Sequence, residues 1–222
     1  LLGGASRDDI RGYNTCAGYQ HVRQRPVQGT QNFGIGAAEG PYEDLNAFLN
    51  NADELAHSLL EMGIDAMKIW PFDYAVEASQ GQYISAADLK KGLEPFEKIR
   101  AAVGDRMDIM CELHSMWNRP SAVKIARALE EIGPLWVEDP VFMDHLASLG
   151  EVARSTTSPI AVGETRGGKA DFRYLVELDA LSVGLEKIDA LGTATELRAQ
   201  RNYAGHRLAP WLGHLMVSRQ ET

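Results

Sequence analysis

Short apolar runs rich in β-formers alternate with amphipathic runs of helical period along most of the chain. Residues 47–62, AFLNNADELAHSLLEM, set Leu49, Leu55, Leu59 and Leu60 near one face at helical spacing, stop on Gly63 as a C-cap and lead into IDAMKIW. That pattern predicts a helix followed by a strand. Ser85 is the expected N-cap of AADLKKGLEPFEKIRAAV, Gly104 and Asp105 end it, and MDIMCEL follows as a run of strand length. The unit recurs: Ser121 opens AVKIARALEEI, Gly133-Pro134 stops it before LWVED, and HLASLGEVARS leads to PIAVGE. FRYLVELDA before LSVGLEKI and TATELRAQRNYAG before HRLAPW extend the series, and Arg11 to Cys16 offers a strand ahead of it, for about seven in all.

Strands separated by helices pair in parallel through right-handed crossovers, which leaves a doubly wound sheet or a (β/α)8 TIM barrel. A dinucleotide-binding doubly wound fold wants GxGxxG between its first strand and helix, and the nearest candidate, GIGAAEG at Gly34 to Gly40, follows no convincing strand. The expected fold class is therefore α/β, a TIM-type barrel. No charge block, low-complexity tract or Ser/Pro linker divides the sequence, so one barrel domain over residues 1–222 is expected, with residues 1–45 an irregular leader carrying the first strand.

In a barrel the active site gathers at the C-terminal ends of the strands. Glu112 ends IMCE, Glu138 ends LWVE and Glu164 ends IAVGE, each 26 positions after the one before. Taken singly, each could be a solvated strand-end residue or the partner of a nearby Lys or Arg. Taken together they are three carboxylates on consecutive strands, which would repel unless a hard divalent cation with oxygen ligands, such as Mg2+, sat among them. His114, two residues beyond Glu112, points to the same side of an extended segment and is placed for proton transfer; the alternative is a ring bonded to loop backbone. Lys68 lies inside an apolar strand, where an unpaired ammonium is costly, so it must reach a carboxylate of the protein or of a substrate. Trp70, Trp117 and Trp136 flank the same strand ends and receive no role beyond packing.

Charge and composition then exclude partners. With 22 Lys plus Arg against 31 Asp plus Glu, the net charge of -9 repels phosphate backbones, so nucleic acid is not an expected partner. Cys16 and Cys111 are far apart without CxxC spacing, which fits a reducing compartment, and a cytoplasmic protein is expected. No apolar stretch approaches the roughly 20 residues that span a bilayer, and LLGGASRDDIRGY lacks a basic n-region, so neither membrane nor secretion is expected.

With AMKIWPFD, ELHSMWN, WVEDP and GET in that order, residues 11–210 resemble the barrel domain of the enolase superfamily, in its mandelate racemase and muconate lactonizing enzyme group. The resemblance implies Mg2+ held by Glu112, Glu138 and Glu164, removal of the proton α to a substrate carboxylate, and metal stabilisation of the enediolate. KIWPFD followed by ELHS is most similar to acid-sugar dehydratases, lyases that expel the β-hydroxyl, with racemases as close relatives. That branch implies His114 as general acid and Lys68 as the lysine that binds the substrate carboxylate, with a sugar acid as substrate. The departures are specific. Trp70 stands where many members have a second strand-two lysine, and Trp211 stands where a base histidine is expected, with His214 three residues later and Glu186 or Asp189 in place of its aspartate partner. Against the family pattern the chain also reads as lacking the N-terminal capping domain and as truncated, with an open strand edge that predicts self-association into a homo-oligomer. A slow or inactive enzyme is the corresponding expectation, and an inactive barrel remnant or partner-binding piece is one alternative. Another is a Schiff-base aldolase-type barrel using Lys68 or Lys187.

Overall fold

The computed structural model describes residues 11–18, 43–165 and 169–184. Five parallel strands, β1 (Ala66–Ile69), β2 (Asp108–Glu112), β3 (Trp136–Glu138), β4 (Ile160–Val162) and β5 (Val183–Gly184), lie in the order β1-β2-β3-β4-β5. Each pairs with its successor in the chain, and the order never reverses as it would at the switch point of a doubly wound sheet. This is the wall of the expected barrel. Helices connect the strands: α1 (Asp44–Asn50) and α2 (Ala52–Glu61) precede β1, the short α3 (Val76–Ser79) and long α4 (Ala86–Val103) join β1 to β2, and α5 (Arg119–Ala128), α6 (Leu146–Arg154) and α7 (Lys169–Glu177) follow in the later units.

Alternation along the strands sorts their side chains into two sets. Met67, Ile69, Ile109, Cys111, Val137, Ile160 and Val162 pack with Phe48, Leu59, Phe96, Ile99, Ile125 and Leu149 of the helices. Ala66, Met110, Trp136, Ala161 and Val183 turn the other way and, with Tyr13, form a separate apolar cluster on the interior side. Lys68, Glu112 and Glu138 continue that inner set two positions further along their strands, all buried. Burial on both faces explains why the strands read as continuous apolar runs.

Several local expectations needed correction. The first strand is a bridge rather than a strand among the described residues: Asn14 pairs in parallel with Met67, its N–H donating to the Ala66 carbonyl at 3.0 Å and its carbonyl accepting from the Lys68 N–H at 2.8 Å. The Asn14 side chain accepts from the Cys16 N–H at 2.7 Å and Cys16 turns to a φ of 52°, which ends the pairing. The single helix expected over 47–62 is two helices, because Asn51 leaves helical dihedrals (φ -132°, ψ 51°). Asn50 bonds back to the Asn46 carbonyl at 3.0 Å, the kind of amide competition that ends helices. The two pieces bury different faces, Leu45 and Phe48 in α1 and Leu55, Ala56 and Leu59 in α2, so Leu49 is left exposed. Ser121 does not cap α5; Asn118 does, its Oδ1 accepting from the Ser121 N–H at 3.0 Å, and Pro120 sits in the first turn, where no donor is missed. Ser85 caps α4 as expected, its hydroxyl accepting from the Asp88 N–H at 3.0 Å.

At the opposite, N-terminal end of the strands, Arg11 ties the sheet together. Its guanidinium bonds Asp65 at 2.8 Å, just before β1, and Asp108 at 2.5 Å, the first residue of β2. The mouth that carries the glutamates is therefore at the other end from this clamp.

Candidate metal and acid-base site

Glu112 and Glu138 are register partners at the last positions of β2 and β3, so their carboxylates emerge side by side. Glu164 reaches the same place by another route. Its residue spacing matches, but Glu138 pairs with Ala161, three positions before Glu164. Gly163, at φ 134°, turns the chain beyond β4 and sends Glu164 back to the mouth; a side chain there would be strained. One oxygen from each of the three carboxylates lies within 4.8 Å of the others.

Lys68 enters from β1. Its Nζ donates to Glu112 Oε2 at 2.9 Å and to Glu138 Oε1 at 2.5 Å, so the buried ammonium meets carboxylates of the protein. The remaining oxygens of the pair are also engaged: the His114 N–H donates to Glu112 Oε1 and the Trp136 indole N–H to Glu138 Oε2, both at 2.9 Å. Trp136 stands edge-on to Tyr13, with ring centroids 5.6 Å apart, and Lys68 Nζ lies 5.8 Å from the Tyr13 ring centre. Burial alone would lower the lysine, yet the charges of Glu112 and Glu138 outweigh it and hold it well above the usual range. The side chain is thus a fixed ammonium, the wrong state for a Schiff-base nucleophile.

The electrostatics of the carboxylates are those of a site with surplus negative charge. Burial works against ionising Glu112, but Lys68 and His114 more than offset it and lower the carboxyl below its ordinary value. Glu138 is driven the other way, up, by burial and then by the charge of Glu112. Asp139, next in the chain, is pushed up to about 8 by burial and by Glu112 and Glu164. Its Oδ1 is buried and has no hydrogen-bond partner among the described residues. With all three glutamates ionised, as a bound cation would keep them, they and one ammonium would leave two negative charges among oxygen donors, Glu112 and Glu138 buried and Glu164 half-buried, a set that fits a hard dication and would not suit a soft one.

His114 does not lie on an extended segment, as the sequence reading assumed. It sits at φ 51°, in the left-handed region, followed by Ser115 at 56°, because the chain turns over the end of β2 immediately after Leu113. The Ser115 N–H donates to the Asp139 carbonyl at 2.8 Å, which ties this turn to the one after β3. The ring still reaches the mouth, where Nδ1 lies 2.7 Å from Oδ2 of Asp73, a fully buried residue beyond β1. Burial disfavours the imidazolium, but Asp73 and then Glu112 raise it above its ordinary value. Trp70 packs edge-on against the same ring, with centroids 5.4 Å apart, and edge-on against Phe48, with centroids 5.3 Å apart. Asp73 and Asp139 are residues of this cluster that the sequence did not single out, and Trp136, expected only to pack, holds a carboxylate. The available signal was an acidic residue standing in or just past an apolar strand, as in WPFD and WVED. Lys187, Glu186, Asp189, Trp211 and His214 lie outside the described residues.

A singly wound parallel α/β barrel wall that collects carboxylates, a lysine and a histidine at the carboxyl ends of successive strands defines the class of protein. Residues 51–220 match the family described as enolase C-terminal domain-like, and the chain belongs to that family, in its mandelate racemase and muconate lactonizing enzyme group. Among solved structures, an enolase of the mandelate racemase subgroup from Agrobacterium tumefaciens is 45% identical with a TM-score of 0.74, over 92% of this chain and 46% of that one. An enolase protein from Sargasso Sea environmental sequencing is 36% identical with a TM-score of 0.76, over 93% and 49%. A D-xylonate dehydratase from Haloferax volcanii is 31% identical over 75% of this chain and 41% of its own length. The D-gluconate dehydratase of Thermoproteus tenax is 31% identical over 56% and 24%. The chain thus spans half or less of the length of these relatives. No helix among the described residues is long and apolar enough to cross a membrane.

Proposed function

We propose that this barrel serves a Mg2+-dependent lyase that dehydrates a sugar acid. The observation that carries the proposal is the convergence of Glu112, Glu138 and Glu164 within 4.8 Å beside a buried Lys68 and the paired His114 and Asp73. The dehydratases among its relatives support the substrate class. Glu112, Glu138 and Glu164 would hold the cation, which when bound polarises the substrate carboxylate and acidifies its α-proton. Lys68, a permanent ammonium already at the mouth, orients that carboxylate. His114 donates a proton to the departing β-hydroxyl, a transfer that raises rates by about 10²- to 10⁴-fold.

Trp70 fills the second strand-two position with an indole that cannot take a proton, so the base for the α-hydrogen must come from another element. The candidates are His214 and Glu186. The Schiff-base alternative is disfavoured by the charge state of Lys68, and an inactive remnant leaves the carboxylate cluster without a purpose. Titration calorimetry with Mg2+ should give saturable heat that Glu138→Gln reduces at least tenfold in affinity. A panel of aldonic and uronic acids should yield a dehydrated keto acid, abolished by His114→Ala. Absence of metal heat would remove the site assignment, and turnover unaffected by EDTA would remove the reaction class.

A further inference from the structure

We propose that Asp73 is the positioning residue of His114: its carboxylate holds the Nδ1 proton of the ring and makes Nε2 the atom that gives a proton to the leaving hydroxyl. Asp73 is fully buried, and an isolated carboxylate in that environment would be costly. Its Oδ2 lies 2.7 Å from His114 Nδ1, while Oδ1 has no hydrogen-bond partner among the described residues. The carboxylate is therefore carried by the imidazole.

The geometry is fixed from both sides. Asp73 opens the 3-10 turn Asp73–Ala75 directly after Phe72, whose ring stacks on Phe96 of α4. On its other side the Tyr74 hydroxyl donates to the Asp88 carbonyl at 2.9 Å, in the first turn of the same helix. His114 is held by a left-handed backbone, by its N–H on Glu112 and by the Trp70 ring. A histidine kept only for packing has no need of a buried anion on one ring nitrogen. A carboxylate on Nδ1 is instead how an imidazole is kept in one tautomer and orientation for proton transfer at Nε2.

This inference rests on the dehydratase proposal. A base removes the α-proton, and the electron pair left on Cα forms the Cα–Cβ double bond. The Cβ–O bond breaks with its pair on oxygen, and the Nε2 proton moves to that oxygen to give water. The ring is left neutral with its other proton on Nδ1, facing Asp73.

Two-bond 1H–15N correlation spectra of the full chain labelled at histidine, with His114 assigned by loss of its peaks in His114→Gln, should show Nδ1 as the protonated nitrogen when the ring is neutral. Asp73→Asn presents an amide N–H to Nδ1 and should move the proton to Nε2. It should also lower kcat by about 10²- to 10⁴-fold while leaving KM and Mg2+ affinity within about threefold. Protonation at Nε2 in the unsubstituted chain, or a kcat for Asp73→Asn within threefold of normal, would overturn the assignment. The tautomer is read without turnover. If no sugar acid is dehydrated, the functional proposal fails and the spectrum of the unsubstituted chain still decides the role of Asp73.

Discussion

Trp136 shows how much a single side chain can contribute by orienting a carboxylate. Its indole N–H donates to Glu138 Oε2 at 2.9 Å, so the orientation of one carboxylate is set by a residue that reads in sequence as a plain core aromatic. Groups that orient metal ligands in this way typically govern affinity by about 10- to 100-fold. Trp136→Phe keeps the ring against Tyr13 and removes the donor. It should weaken Mg2+ binding by a factor in that range in calorimetry, with circular dichroism unchanged, and unaltered affinity would mean that Glu138 is oriented by Lys68 alone. The polar roles were legible to different degrees. Lys68 and the three glutamates stand out because charged residues in apolar strands demand an explanation. Asp73 stays hidden, since nothing in WPFD tells the reader that the chain turns back after Phe72 to face a histidine 41 positions later.

At the scale of elements, the loop after β1 depends on a close approach by α4. Gly92 lies in the middle of this helix, and a Cβ there would fall 2.2 Å from the Phe72 ring. Helix propensity favours alanine over glycine by about 1 kcal/mol, but forcing a methyl into a packed ring contact costs about 1 to 3 kcal/mol. Packing should win. Gly92→Ala is expected to destabilise the chain by roughly 1 kcal/mol in urea titration and, by displacing Phe72 and Asp73, to lower turnover as well; a gain in stability would show that the ring moves freely. The helix boundaries were readable where a local cap fixes them, as at Ser85 and Gly104. They were misjudged where a side chain two or three residues away took over, as with Asn118 before α5 and the asparagines that divide α1 from α2.

Across the whole molecule, the buried carboxylates make stability depend on pH in an unusual sense. Asp139 rises from 3.8 to about 8 on folding, so between those values the folded chain holds a proton that the unfolded chain has released. Stability then falls as pH rises. Glu138 and Asp73, both raised chiefly by burial, act with the same sign. His114, raised as well, stabilises below its unfolded value and loses that contribution as pH climbs through its folded one. Metal-free protein in EDTA should therefore lose roughly 1 kcal/mol per unit between about pH 5 and pH 7, with a shallower slope in Asp139→Asn. Mg2+ should flatten the profile, because a cation takes the deprotonated ligands. Urea midpoints that rise over this interval would contradict the account of the site.

The amino-acid order by itself determined the repeating strand and helix units, the parallel barrel wall and the four charged residues at the strand ends, because periodicity and the cost of burying charge are local properties. The equal spacing of the glutamates pointed to three residues that do converge, for a partly wrong reason. Glu112 and Glu138 meet through strand register, whereas Glu164 arrives through the backbone turn at Gly163. Trp136 and Glu138 stand two positions apart on one face of β3, so strand geometry alone puts them side by side. Tertiary structure alone decided the rest: that Lys68 bridges two of the carboxylates and that Asp73 meets His114. Those contacts join residues from different βα units, and their distances follow from how strands and loops pack, which no single stretch of sequence encodes.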